Sequence, residues 1–257
     1  MNDTPRPGEA VIQRSLDDQR NLLIARGNFG QLFAGYLDHV CRWEQEPDGL
    51  ARTMMRQGLS AAALHLSCRP KHEMVGWTIN LLRPPTNLFI TGDSAECSIT
   101  GRVFTENVRT AQTSRMFVET RTPQNTLNHS TVEIDGFDVF EHFEQYYRRS
   151  EQKPARFFEV DDDEAVMLLG LPDPDLDRDR LFAYTREEGI RIANEATRTL
   201  DEKTYRFQCG CNMETMREVM GGLFRADPED LFRGEEGVEV FCPRCGRRWW
   251  ITRDQLA

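Results

Sequence analysis

The chain has no run of about 18 apolar residues, no internal repeat and no long low-complexity segment. No transmembrane helix and no membrane partner are therefore expected. Its opening stretch, MNDTPRPGEAVIQRS, holds no apolar run of the signal-peptide kind, so a cytoplasmic location is the expectation. Positive charge is in deficit, 32 Lys and Arg against 42 Asp and Glu, for a net −10. That balance argues against nonspecific binding to nucleic acid or anionic lipid. Histidine is scarce: His39, His65, His72, His129 and His142 are scattered through the first 142 residues. Neither a nucleophile–base pair nor a phosphate-binding glycine loop is legible, so no catalytic residue, no organic cofactor and no conventional enzyme is expected. Each histidine reads as surface or core.

What the chain does have is length and cysteine. Its 257 residues, 39% hydrophobic, suffice for one large domain and a small one. Seven cysteines without a secretion signal point to metal or redox chemistry, not to a disulfide scaffold. Four of them form two close pairs, Cys209-Gly-Cys211 and, thirty residues on, Cys242-Pro-Arg-Cys245-Gly. Two such pairs around a short folded spacer are the usual arrangement of a four-thiolate zinc site, because they supply four soft ligands near tetrahedral geometry. One Zn2+ per chain, in the reduced state, is the expected cofactor. Pro243 and Gly246 suit a tight knuckle, and Gly210 is read as relaxing the narrower first pair. Between the pairs NMETMREVMGGLF predicts a helix, and Asp227-Pro228 opens a second with proline in its first turn. VEVFC and RRWWITR predict strands flanking the second knuckle. The other cysteines, Cys41, Cys68 and Cys97, read as small buried hydrophobes.

A segment as short as residues 204–257 buries little core and often needs a staple. Zinc on four thiolates contributes about 10–16 kcal/mol of apparent binding energy, while whole domains are stable by about 5–15 kcal/mol. Metal loss is thus expected to unfold the module and strip Leu223, Phe224, Leu231, Phe232, Trp249 and Trp250 of their packing.

Upstream, residues 1–15 read as a loose polar tail. Leu32, Phe33, Tyr36, Leu37, Val40 and Trp43 have helical spacing; Leu50, Met54, Leu59, Ala62, Ala63 and Leu66 suggest a second helix. GWTINLL, NLFITG, ECSITGRVF and RMFVET predict strands. Asp138 with Glu141 is a plausible N-cap pair for a helix burying Val139, Phe140, Phe143 and Tyr147. RFFEV and AVMLLGL predict strands joined by an acidic turn, Asp161–Glu164. The polar PDPDLDRDR beyond Leu171 marks a domain boundary. Leu181 to Leu200 is a weakly amphipathic helix candidate with a thin apolar stripe of Ile190, Ala193, Thr197 and Leu200, which must dock on something to persist. The expected fold class is α+β: an N-terminal sheet-and-helix domain, a helical linker and a small C-terminal zinc-binding module.

FQCGC, the helical spacer and VEVFCPRCGRRWW together resemble the C-terminus of the heat shock protein 33 family. YYRRSEQKPARFF resembles the family's R-S-E-Q-x-P segment, here Arg149, Ser150, Glu151, Gln152 and Pro154. The early turn departs from the family's glycine-rich one and reads LLRPPTN. The resemblance implies a redox-regulated holdase chaperone of the stress response, with a substrate-interacting core at 1–172, a metastable linker at 173–203 and a zinc redox switch at 204–257. Cys209, Cys211, Cys242 and Cys245 would be the ligands. It further implies disulfides Cys209–Cys211 and Cys242–Cys245 on oxidation, zinc release, linker unfolding, a homodimer in the oxidised state, and unfolded or partly unfolded client proteins as partners. Two other readings remain: a constitutive binding module with a purely structural zinc, and a zinc-ribbon nucleic-acid binder using Arg244, Arg247 and Arg248 beside Trp249 and Trp250.

Overall fold

The computed structural model describes residues 6–43, 46–47, 49–108, 112–124, 127–172, 176–196 and 198–256. In chain order these form β1 (Glu9–Asp17), β2 (Leu22–Asn28), α1 (Gly30–Trp43), α2 (Gly49–Ser67), β3 (Met74–Leu81), β4 (Thr86–Asp93), β5 (Ser98–Phe104), β6 (Arg115–Arg121) and β7 (Leu127–Glu133). Then follow α3 (Val139–Tyr146), β8 (Ala155–Glu159), β9 (Glu164–Gly170), α4 (Arg178–Ala183), α5 (Arg186–Glu195) and β10 (Arg198–Phe207). The C-terminal module holds α6 (Met213–Ala226), α7 (Pro228–Phe232), β11 (Gly237–Phe241) and β12 (Arg248–Thr252).

One ten-stranded sheet runs β7-β6-β3-β4-β5-β10-β1-β2-β9-β8. It consists of two antiparallel halves spliced by β10, which pairs antiparallel with β1 from Glu9 to Leu16 and parallel with β5 only at Arg206 and Phe207. The helix α2, buried on nearly all sides from Gln57 to Ser67, packs against β4, β5 and α3. With it Trp77, Phe143, Tyr147 and Phe157 form the main core. A second cluster lies around β2, β9 and β8, where Leu22, Ile24, Phe158, Val166 and Leu168 meet Leu181 of α4 and Ile192 of α5. Burial on both faces explains why β9 reads as a continuous apolar run.

The Asp138 cap is present, its carboxylate accepting from the backbone N–H of Phe140 and Glu141. The acidic turn is closed by Asp161, whose Oδ1 accepts from the N–H of Asp163 and Glu164. The R-S-E-Q-x-P stretch ends α3 in a π-helical turn, Tyr147–Glu151, with Gln152 at φ 55°. Glu151 accepts from Arg69 at 2.9 Å and from Tyr146 Oη at 2.6 Å, and Ser150 donates to Ser130 at 2.7 Å. The motif therefore fastens α3 to the end of α2 and to β7.

Three expectations are corrected. The stretch expected to be a loose tail up to residue 15 lies, from Glu9 on, in β1 near the middle of the sheet; residues 1–5 lie outside the described residues. Its alternation is weak because the inward residues include Ser15 and Asp17 and the register slips between Arg14 and Ser15. The Leu181–Leu200 helix is two short helices and the start of a strand. It breaks because Thr185 forms a capping box with Glu188, a T-x-x-E signature legible in the sequence. The segment does dock, but through Leu181 and Ile192; Leu200 is exposed in β10, and Thr197 and residues 173–175 lie outside the described residues. Gly189 is required here, because a Cβ would stand 2.3 Å from the Phe158 ring. Finally, Cys41 is exposed, whereas Cys68 and Cys97 pack partly buried against the main core.

Two buried histidines set an expected pH dependence. His65 is enclosed by Trp77, Phe143 and Tyr146 and bonds through Nδ1 to Tyr147 Oη at 2.8 Å. Burial holds it well below its usual 6.5, and His142 is lowered for the same reason. Below about pH 6.5 the unfolded chain takes up protons that the folded core refuses, so stability falls as pH drops, approaching about 1.4 kcal/mol per pH unit for His65. Urea unfolding of the core at pH 7 and pH 5.5 checks this; equal stability at both would contradict it.

Candidate metal centre

The strand β10 delivers the first knuckle. After Phe207 the chain leaves the sheet, Gln208 N–H donating to Ile99 O at 2.9 Å, and Cys209 and Cys211 follow at once. Asn212 caps α6 by accepting from Thr215 N–H at 2.8 Å. Asp227 then caps α7, accepting from Glu229 and Asp230 N–H at 3.1 Å each. The strands β11 and β12 pair antiparallel from Gly237–Thr252 to Phe241–Arg248, and the loop between them is the second knuckle. It is closed by Cys242 N–H to Arg247 O at 2.8 Å and Gly246 N–H to Cys242 O at 2.9 Å. Gly246 has φ 76°, the left-handed region that favours glycine. Gly210 has no such φ, and nothing lies within 4 Å of where its Cβ would be, so the first knuckle does not demand glycine there.

All four Sγ atoms lie within 4.8 Å of one another. Cys209 stands 3.8 Å from Cys242, and Cys211 3.5 Å from Cys245. A tetrahedron with metal–sulfur bonds of about 2.3 Å has sulfurs about 3.8 Å apart, so the cluster has the size and donor set of a four-thiolate metal site. Cys242 and Cys245 are buried, Cys209 and Cys211 partly so. As free thiols they bond to one another. Cys242 is held low by hydrogen bonds from Cys209 and Cys245, both of which are raised, and burial pushes Cys211 up to about 12. A metal taking four thiolates must displace these protons, so its affinity rises with pH.

The packing around the cluster is thin. Met216, Met220 and Ile251 are its buried hydrophobic core, with Leu231, Val238 and Trp249 partly buried against them. Phe232 is buried and meets Phe224 edge-on. Leu223 and Trp250, expected to be packed, are 55% and 56% exposed: Leu223 lies on the outer face of α6, and Trp250 lies over Gly237 across the hairpin.

Sequence reasoning missed His39. It projects from α1, 206 residues before Cys245, and its Nε2 lies 2.9 Å from Cys245 O. The Arg247 guanidinium sits over the rings of Trp43 and Trp249. Nothing local to His39 signals this contact, which depends on where β10 deposits the module.

The family model for the Hsp33 protein matches residues 49–252. The chain belongs to the Hsp33 family. Among curated Hsp33-type relatives, the 33 kDa chaperonin of Nitrosococcus oceani is 25% identical over 142 residues, 48% of this chain and 49% of that protein. That of Ectopseudomonas mendocina is 28% identical over 153 residues, 49% and 52% of the two. That of Streptococcus sanguinis is 32% identical over 63 residues, 24% and 22%. The chain thus spans about half the length, or less, of the curated relatives it matches. The crystal structure of the 33 kDa chaperonin (heat shock protein 33 homolog) from Thermotoga maritima superposes with a TM-score of 0.74 at 17% identity, covering 97% of this chain and 96% of that one. The Hsp33 fold is therefore retained where sequence identity is low. No helix among the described residues is long and apolar enough to cross a membrane.

Proposed function

We propose that the chain is a redox-regulated holdase chaperone of the cytoplasm, with Cys209, Cys211, Cys242 and Cys245 as ligands of one zinc ion that keeps it inactive when reduced. The observation that carries this reading is the convergence of four sulfurs within 4.8 Å at the end of the sheet's splicing strand. Bound zinc supplies a charge that keeps the thiolates deprotonated and clustered. The chain's own residues position them: the knuckle bonds of Cys242 and Gly246 aim one pair, and the exit of β10 aims the other. In this reading 1–172 holds the client-binding core, 173–203 the linker and 204–257 the switch.

Oxidation by a peroxide removes two electrons from each cysteine pair. One S–S bond forms, the peroxide O–O bond breaks, and two waters leave once two protons are supplied. The family pattern supports pairing Cys209 with Cys211 and Cys242 with Cys245, although the shortest sulfur contacts in the reduced cluster run between knuckles. Peptide mapping of the oxidised chain distinguishes the two pairings. With its ligands consumed the metal leaves and the module unfolds; in the family pattern the 173–203 linker then unfolds, and unfolded or partly unfolded proteins bind, in an oxidised homodimer.

The test is mild oxidation with hydrogen peroxide at raised temperature, following zinc release and aggregation of an unfolding client. Release of about one zinc per chain together with suppressed aggregation is expected. If the oxidised chain protects no better than the reduced one, the holdase reading is wrong. A constitutive binding module with structural zinc is the second reading, favoured by the incorporation of β10 into the sheet. Client binding with zinc fully retained would establish it.

A further inference from the structure

We propose that His39 is a positioning residue of the metal centre, which ties the second cysteine knuckle to α1 so that metal retention and the packing of the last turns of α1 form one equilibrium. The inference rests on the reading of the four cysteines as a metal site and adds a residue outside the C-terminal module to it.

The argument starts at one peptide plane, that between Cys245 and Gly246. Its N–H donates to Cys242 O at 2.9 Å, and its carbonyl oxygen lies 2.9 Å from His39 Nε2. A carbonyl can only accept, so the ring nitrogen donates. The plane is gripped at both ends. This matters because Gly246, at φ 76°, has no side chain to oppose rotation of that plane. Rotating it turns the backbone of Cys245 and swings Sγ away from the other three sulfurs. The inner bond is made by the knuckle itself; the outer one comes from the core.

The imidazole is in turn held in place. It meets the Phe207 ring edge-on at 5.6 Å, and Phe207 meets Tyr36 in the same way at 5.6 Å. Phe207 is two residues before Cys209, so His39 touches the second knuckle through its nitrogen and the approach to the first through its ring. One helical turn further along α1, Trp43 lies 5.8 Å from the Arg247 guanidinium, a second tie to the same loop. Loss of the metal frees the knuckle backbone and thereby removes the acceptor of His39 and the cation over Trp43 together.

The experiment uses the full zinc-loaded chain with His39→Leu and His39→Gln. Leucine keeps apolar bulk and removes the donor; glutamine restores an N–H within reach. Zinc release to an excess of a colorimetric chelator is expected to be about fivefold faster in His39→Leu, the factor set by one neutral hydrogen bond. His39→Gln is expected to release near the wild-type rate, and the thermal midpoint of the core should be the same in all three. Equal rates in wild type and His39→Leu overturn the proposal, as does a His39→Gln rate as fast as that of His39→Leu. Should His39→Leu not fold, hydrogen exchange on the unaltered chain decides. Chelation should raise exchange of the amides of residues 36–43, and unchanged protection there overturns the proposal. Wild-type protein with no stoichiometric zinc overturns the metal-site reading itself, and does so before any variant is compared.

Discussion

Removing the metal with a chelator will unfold residues 209–256 and leave the ten-stranded sheet standing. Among the described residues of the module, Met216, Met220, Phe232 and Ile251 are the large buried hydrophobic side chains. At about 1.5–3 kcal/mol per buried side chain, they do not offset the chain entropy of ordering the segment, which costs about 1–2 kcal/mol per residue for the backbone alone. A four-thiolate zinc contributes about 10–16 kcal/mol, more than any other single interaction there. Cys242→Ser, which removes a buried sulfur of the proposed metal site, should reproduce the effect of chelation. Hydrogen exchange reads the result. Amides of α6, α7, β11 and β12 should lose protection, while those of β1, β2 and β9 keep it. A metal-free module with α6 still protected would contradict this account and would place its stability in packing.

A chain ending at Pro172 will fail to fold as a soluble monomer, and a chain ending at Gln208 will fold. The first loses β10, and with it every backbone partner of β1 from Glu9 to Leu16 on that side. It also frees Ser98 and Ile99 of β5, the two residues β10 pairs there, and the long unpaired edge of β1 invites intermolecular pairing. It further loses Leu181 and Ile192, which cover Phe158, Val166 and Leu168, exposing an apolar face of the aggregation-prone kind. The second keeps all of these contacts and lacks only the module. Size-exclusion chromatography and circular dichroism of the two chains provide the comparison. A folded, monomeric 1–172 with the thermal midpoint of 1–208 would show that the splice is dispensable.

The sequence made the C-terminal module legible because its signals are local. Paired cysteines, Asp227-Pro228, and the glycine after Cys245 each state their own geometry within a few residues. The strands β3 to β6 were legible by alternation, and α2 by the density of its apolar residues. The helix α3 announced itself through Asp138. What stayed hidden was set by distant partners. In RTLDEKTYRF only Tyr205 is buried. The position of β10 is fixed by polar contacts to remote segments: Arg14 with Asp201, Lys203 Nζ to Ser67 O at 2.7 Å, and Arg206 to Glu9 at 2.9 Å. No periodicity window contains both halves of such a pair. The expected linker boundary at 203/204 falls inside this strand. β7 stayed hidden for a related reason: it is an exposed edge strand in which only Val132 is buried. His39 reads as an ordinary surface or core histidine because the carbonyl it meets is 206 residues away.

The splice also has a consequence for the order in which the chain can mature on the ribosome. Glu9 and its partner Arg206 are 197 positions apart, so Glu9 is made long before Arg206. At about 5–20 residues per second, β1 waits on the order of ten to forty seconds for the strand that completes its ladder. Through that interval the two halves of the sheet lack the strand that joins them. Nascent chains of this protein should therefore themselves be clients of early-acting chaperones, until synthesis has passed Phe207.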